Sequence, residues 1–475
     1  MKSFQDVRVL LSLFVVLAVV VPCCADFEVV KVGDSLVDEE ALTIKGNFGQ
    51  AINGVSFQQE VMVTHQDYQY AAYYDGERRV CIARRQLPKG DWQVIQFQDY
   101  RFESNDSHNT ISMGICPNDG TIHLAFDHHG HPLHYRASCK GVASNPENVT
   151  WEASLFGPIK SEIERGRPIR LTYPRFWQTP DGGLQFCYRQ GGSGNGDRML
   201  VDYDDHSGTW SGTRQIDSRA GNFQDGMGPS SSRCSYPNGY SYGPNGNLHT
   251  TWVWRESSQG ANHDLIYCFS QDRGKTWRNN RGEVLQQPPG ANTPGIKVVD
   301  ISRANGLMNT HGQAVDSQGR VHAVMWHCTE RTLKEAGTKP GAHRWGPPES
   351  RRYHHYWRGA DAGWHHFELP MVAGNRPKIF IDEEDNAYLI YCDSWRGGIF
   401  HPRGSLIIAA ATAGSKWTDW KVVHTEPGPF LNEMVGDVYR WKSQKVLSIM
   451  VQQTPSKPHE STPLRIVDFT LKNDP

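Results

Sequence analysis

The sequence predicts an all-β chain folded as a seven-bladed β-propeller. Three observations carry this. One strand-turn-strand pattern returns along the chain. Glycine (46) and tryptophan (15) are plentiful while long helix-period runs are missing. One stretch, Ser270 to Trp277, is a tight-turn motif of the kind repeated in propeller blades.

The pattern is an apolar strand, a polar turn, then a strand rich in aromatic and β-branched residues. It occurs first over Val61 to Tyr74. The second case runs from Ser112 to Phe126 and turns at Pro117 to Gly120. The third turns at Pro180 to Gly183 and continues through Leu184 to Tyr188. The fourth turns at Pro244 to Asn247 and continues through Leu248 to Trp254. The fifth covers Gly312 to Trp326, the sixth Lys378 to Tyr391, and the faintest, the seventh, Gly436 to Met450. Asn-Gly and Asp-Gly between alternating runs favour hairpins, because these residues tolerate positive φ. The spacing of roughly 55–70 residues leaves room for a four-stranded blade with its outer hairpin and loops. Serial sandwiches lack such a period, and β-helix repeats are much shorter. The stretch SQDRGKTW (270–277) fits the Asp-box pattern of sialidase-like propellers. There the Asp caps amides, Gly supplies the turn and Trp packs between strands, so Asp272 is read as structural.

At 475 residues the chain can bury a large core. A net charge of -2 argues against nucleic-acid and membrane-surface partners. It leaves room for an anionic substrate held by a local basic patch. Residues 1–25 read as a signal peptide. Lys2 and Arg8 precede the apolar run Val9 to Val21, and Pro22 to Ala25 ends in a small residue. A lipid anchor at Cys23 fits poorly. The expectation is one propeller over residues 26–475, secreted or periplasmic, and a monomer. Beyond the leader lie Cys81, Cys116, Cys139, Cys187, Cys234, Cys268, Cys328 and Cys392, an even number readable either as disulfides or as buried thiols. Asn105 and Asn148 begin glycosylation sequons.

Four groups of residues suggest chemistry. The first is a histidine-crowded run, Thr121 to Tyr135, which contains His128 and comes after His108. The second is Tyr173 with Arg165, Arg167, Arg170 and Arg175 close in sequence. The third is Arg189, where an apolar strand meets a glycine-rich loop. The fourth is Arg233 to Asn238 with Tyr236, followed by Tyr240. A propeller gathers loops from all blades around one axis, so such distant groups can share a cleft. Together they supply what β-elimination from a uronic acid needs. Arginine or protonated histidine neutralises the carboxylate. Tyrosine or histidine takes the proton beside it, and tyrosine or histidine donates one to the departing glycosidic oxygen. Gly191 to Gly194 lacks the context of a phosphate-binding loop.

The motifs DHHGHPLHY (127–135), YRQGGSG (188–194), NHDL (262–265) before the Asp box, and GQAVD (312–316) resemble the BNR-repeat propeller group that includes ulvan lyases, polysaccharide lyase families 24 and 25. The resemblance implies catalytic roles for His108, His128 and Tyr173. It also implies that Arg189 binds the uronate, with a further cleft tyrosine at Tyr236 or Tyr240; Arg175, close to Tyr173 in sequence, is read as an added substrate-binding group. No cofactor is required. A structural zinc or calcium is left open, with His249 and His263 resembling two zinc ligands of the group. The implied partner is an anionic polysaccharide of uronic acid and rhamnose. Two other functions stand beside the lyase: a rhamnosidase- or sialidase-like hydrolase, for which Asp127 and Asp204 are candidate carboxylates, and a carbohydrate-binding propeller without catalysis.

Overall fold

Each of the seven hairpins grows into a sheet whose first strand lies innermost. A computed structural model describes residues 26–46, 49–58, 60–257, 260–393, 403–431, 433–457 and 459–474. The leader over residues 1–25, and with it the predicted cleavage region, lies outside the described residues. The blades are antiparallel sheets, numbered here by chain order. Their first strands are Met62–His65, Ile111–Ile115, Arg170–Gln178, Arg233–Tyr242, Gly312–Val315, Lys378–Ile381 and Val435–Gly436.

The ring closes by mixing the two ends of the chain. Asp26–Ala41 pairs along Thr462–Asp474, from Asp26 opposite Asp474 to Ala41 opposite Thr462. The N-terminal strand thus becomes the outer strand of the seventh blade, which Val435–Gly436, Val446–Gln452 and Thr462–Asp474 otherwise build. This covers a sheet edge and ties the start of the chain to its end.

The seventh blade departs from the hairpin predicted over Gly436 to Met450. Its inner strand is only two residues long and is followed by a short helix, Val438–Gln444. The Asp437 carboxylate accepts the amides of Tyr439 and Arg440 and so starts the helix, and Lys445, at φ 57°, ends it. The alternation in the sequence belongs to the strand after the helix.

Adjacent blades approach closely. A Cβ on Gly114 would lie 2.5 Å from the Phe176 Cβ of the third blade, so only glycine fits this contact. Between the second and third blades pack Phe176, Phe186, Tyr203 and Trp210, each at most 7% exposed. The Asp box folds as expected: Asp272 accepts the Thr276 amide (2.8 Å) and hydroxyl (2.7 Å), Gly274 has φ 81°, and Trp277 is buried. None of the eight cysteines beyond the leader forms a disulfide, and all but Cys139 are buried. No helix among the described residues is long and apolar enough to cross a membrane.

An axial cavity of about 230 Å³ is lined by inner-strand residues, among them Trp177 and Tyr240 late in their strands and Lys378 at the start of its own, and by Glu60 and Tyr439. Residues earlier on the same strands, Tyr173 and Tyr236, build the site described next.

Candidate active site

The histidine-rich run does not stay in one sheet. His123 lies in the second blade, fully buried, bonded to the Thr121 and Tyr135 hydroxyls. Asp127 then turns the chain at φ 62°, and His129–Pro132 leaves the blade to pair with the inner strand of the third, His129 opposite Thr172 and His131 opposite Leu171. This crossover sets His129 beside the strand that carries Tyr173.

Asp106 then joins two imidazoles. One oxygen accepts from His108 Nδ1 at 2.5 Å and the other from His129 Nδ1 at 2.6 Å. The two rings stack at 4.3 Å between centroids, and His108 also packs against Phe57. Burial pushes the His108 imidazole down to about 4 despite the opposing pull of Asp106. It is therefore neutral at pH 7. The Asp106 carboxyl sits well below its usual range. Burial alone would raise it, and the bonds from His108 and His129 outweigh that.

Tyr173 stands in the left-handed region, φ 56°, at a bulge between Thr172 and Arg175. A tyrosine there is strained, and the bulge re-aims its ring out of the alternation of the strand. The ring stacks on Phe57 at 4.4 Å and lies 6.1 Å from the His108 ring and 6.2 Å from the His129 ring. Burial, and then the neighbouring Tyr236, hold the phenol well above its usual value, more than Arg189 and Arg255 lower it. At neutral pH it keeps its proton.

Two guanidiniums complete the cluster. Arg189 lies over Tyr173 at 4.7 Å and over Tyr236 at 5.6 Å. Arg255 lies over Tyr236 at 4.6 Å and donates to its hydroxyl at 3.1 Å. Both are at most 9% exposed. Several buried arginines have an acid, as Arg233 has Glu256 and Arg198 has Asp217, whereas Arg189 and Arg255, like the buried Arg84, Arg175 and Arg351 elsewhere, pair with no carboxylate among the described residues. What sets Arg189 and Arg255 apart is that two cations without an acid converge on one ring, Tyr236, an arrangement that suits a bound anion because uncompensated buried charge is costly.

The residues expected from the sequence divide accordingly. His108, Tyr173, Arg189 and Tyr236 come together. His128 does not join them: it is fully buried, its Nε2 accepts the His134 amide at 2.8 Å, and its ring stacks on His134. The adjacent His129 occupies the place beside His108. Arg175 and Tyr240 belong to the axial side. Tyr240 stacks on Trp177 at 4.2 Å and bonds to Arg198 and Cys187, and the buried Arg175 guanidinium interacts with Tyr240 and Glu60. Asp127 is engaged by Tyr100 and Asn109, and Asp204 caps a turn at the His206 and Ser207 amides.

The metal pairing of His249 with His263 is corrected. His249 sits opposite Phe269, six residues along the strand that begins at Asn262 next to His263. At ~3.3 Å per residue the two are about 20 Å apart, too far to share one ion. His249 bonds to the Tyr267 hydroxyl, and His263 lies between Asp264 and Glu256. Among the described residues, the group of three His, Cys, Asp or Glu donor atoms close enough for one cation is Asp106, His108 and His129. Their tight carboxylate-imidazole bonds suit a proton-bearing group as well.

Asp106, His129, Phe57 and Arg255 were missed by sequence reasoning. Arg255 had a signal: it directly follows Trp252, Val253 and Trp254, as Arg189 follows Phe186, Cys187 and Tyr188. The same place in two successive blades puts both arginines at one end of the axis.

Residues 68–371 match the model of the BNR repeat-containing family. The chain belongs to that family. Among similar proteins, the long-isoform ulvan lyase of Pseudoalteromonas sp. (strain PLSV) is 26% identical over 329 residues, 57% of this chain and 32% of that protein. The short-isoform ulvan lyase of Alteromonas sp. (strain LOR) is 25% identical over 33% of this chain and 37% of its own length. This BNR chain thus spans about a third of the length of these relatives. Among solved structures, the polysaccharide lyase Uly1 superposes with a TM-score of 0.71 at 18% identity, covering 93% of this chain and 99% of that one. A PL25 ulvan lyase bound to -[GlcA(1-4)Rha3S]- gives 0.63 at 11% identity, covering 91% and 94%. These likenesses establish the shared propeller of the BNR chain.

Proposed function

We propose that the chain is an exported polysaccharide lyase that breaks rhamnose-uronate linkages by β-elimination. One observation carries this reading: two buried guanidiniums, Arg189 and Arg255, have no acidic partner and border a protonated phenol and a carboxylate-held pair of imidazoles. The similar ulvan lyases, and the solved one bound to a glucuronate-rhamnose sulfate unit, support the same substrate class.

In this account the uronate carboxylate binds Arg189 and Arg255. Their charge lowers the cost of forming a carbanion beside it. His129 takes the proton from that carbon, and the freed electron pair forms the new carbon-carbon double bond. The bond to the glycosidic oxygen breaks, and that oxygen takes the proton of Tyr173. The products are an unsaturated uronate end and a new reducing end.

A hydrolase would need a free carboxylate pair or an equivalent nucleophile. Asp106 is occupied by two imidazoles, and Asp127 and Asp204 by other donors. Incubating the protein with a panel of uronate polymers, ulvan included, tests the reading. The ultraviolet absorbance of a conjugated, unsaturated uronate is expected to rise with ulvan. Chain cleavage without it would overturn the lyase.

A further inference from the structure

We propose that Asp106 is the positioning residue of this site, holding His108 and His129 in one tautomer and one orientation through its two oxygens. The inference rests on the lyase reading for its kinetic consequence but not for its structural content.

Both ring bonds use Nδ1, at 2.5 and 2.6 Å, and each goes to a different oxygen. A carboxylate at this place only accepts, so each imidazole presents an Nδ1–H to it. For His129 that leaves Nε2 as the nitrogen able to receive a proton. The orientation is fixed further. The His108 amide donates to Oδ1 at 3.0 Å, and the Asp106 amide donates to the Ser104 hydroxyl at 3.0 Å. The Phe57 ring packs on His108 at 5.4 Å, and the His129 ring stacks on it at 4.3 Å. His129 is the more open of the two, with 29% of its side chain exposed against 15% for His108. Of the two rings, His129 is therefore the one the substrate meets first.

Charge explains why one acid serves two rings. Two stacked imidazoles repel once both are protonated. One carboxylate between them balances a single added proton. When His129 takes the substrate proton, the three side chains go from one net negative charge to neutral. No charge is left unbalanced beside the buried Tyr173.

The test compares Asp106→Asn and Asp106→Glu in the whole chain. The asparagine amide can accept from one ring but offers its NH₂ to the other, which forces one imidazole into the Nε2–H tautomer. Nitrogen NMR of ¹⁵N-histidine-labelled protein should show His108 and His129 protonated at Nδ1 in the unsubstituted protein, and one of them switched in Asp106→Asn. On ulvan, Asp106→Asn should lower kcat ~10²–10⁴-fold with KM changed by less than about threefold. Asp106→Glu, which keeps both acceptor oxygens, should recover part of that loss. Nε2–H tautomers in the unsubstituted protein would overturn the proposal whatever the activity. So would an Asp106→Asn enzyme with unchanged kcat, or one stoichiometric zinc in the purified protein that Asp106→Asn loses. Correct tautomers with no turnover of any uronate polymer would instead overturn the lyase reading and leave the positioning role standing.

Discussion

The guanidinium of Arg189 lies 4.7 Å from the centre of the Tyr173 ring. The contact is worth ~0.5–2 kcal/mol as a cation–π pair. Its larger effect is to bring the binding cation and the proton donor within the span of one sugar residue. Replacing Arg189 with Met should lower kcat/KM on ulvan ~10²–10³-fold. Arg189→Lys should not restore it, because a point charge cannot make the planar two-donor contact with a carboxylate. Steady-state kinetics on purified, folded variants checks this.

His128 and His129 separate geometry from sequence spacing. His129→Ala should cost at least ~10²-fold in kcat. His128→Ala should leave kcat within about threefold and lower the melting temperature, because it removes a buried ring that accepts the His134 amide. The reverse pattern would show that His128 is the residue that reaches substrate.

Glu60 makes a prediction about stability and pH. Burial raises its carboxyl from 4.5 to about 7, more than Arg175, Lys378 and Lys442 lower it, and its Oε2 has no hydrogen-bond partner. The folded chain therefore holds a proton that the unfolded chain has released between pH 4.5 and about 7. Unfolding releases it, so the contribution of Glu60 to stability falls as pH rises through that window, by ~3 kcal/mol at most. Glu60→Gln should remove this slope and raise stability at pH 8 by ~1–3 kcal/mol. Urea denaturation at several pH values measures both.

The two-ended seventh blade gives a third kind of test. Deleting residues 26–41 strips the strand paired with Thr462–Asp474 and uncovers that edge. The truncated chain should unfold at markedly lower denaturant and tend to aggregate. Unchanged thermal and chemical denaturation would contradict the role given to this closure.

The propeller was legible in the sequence because each inner hairpin writes its own alternation and turn residues, from Pro117 to Gly120 through Pro244 to Asn247. Ring closure was not, because the pairing of Asp26 with Asp474 is a contact between chain ends that no local pattern encodes. The site was half legible. His108, Tyr173, Arg189 and Tyr236, named from residue type and from the family resemblance, lie together in the structure. His128 and His129 are adjacent in sequence, and what separates them is a turn at Asp127 (φ 62°) followed by a crossover strand that starts at His129. Tyr236 and Tyr240 share a strand, and only its bulge between Pro237 and Gly239 and the packing of Trp177 on Tyr240 separate their environments. His249 and His263 looked like a pair in sequence, and antiparallel pairing places them at opposite ends of one sheet.

The central claim is elimination without water. Cleaving ulvan in water enriched in heavy oxygen and weighing the oligosaccharides by mass spectrometry tests it most directly. The account predicts new non-reducing ends one water lighter than a hydrolysis product, with no label introduced by the cleavage step. Products of full hydrolytic mass that take up one labelled oxygen at each cut would contradict it.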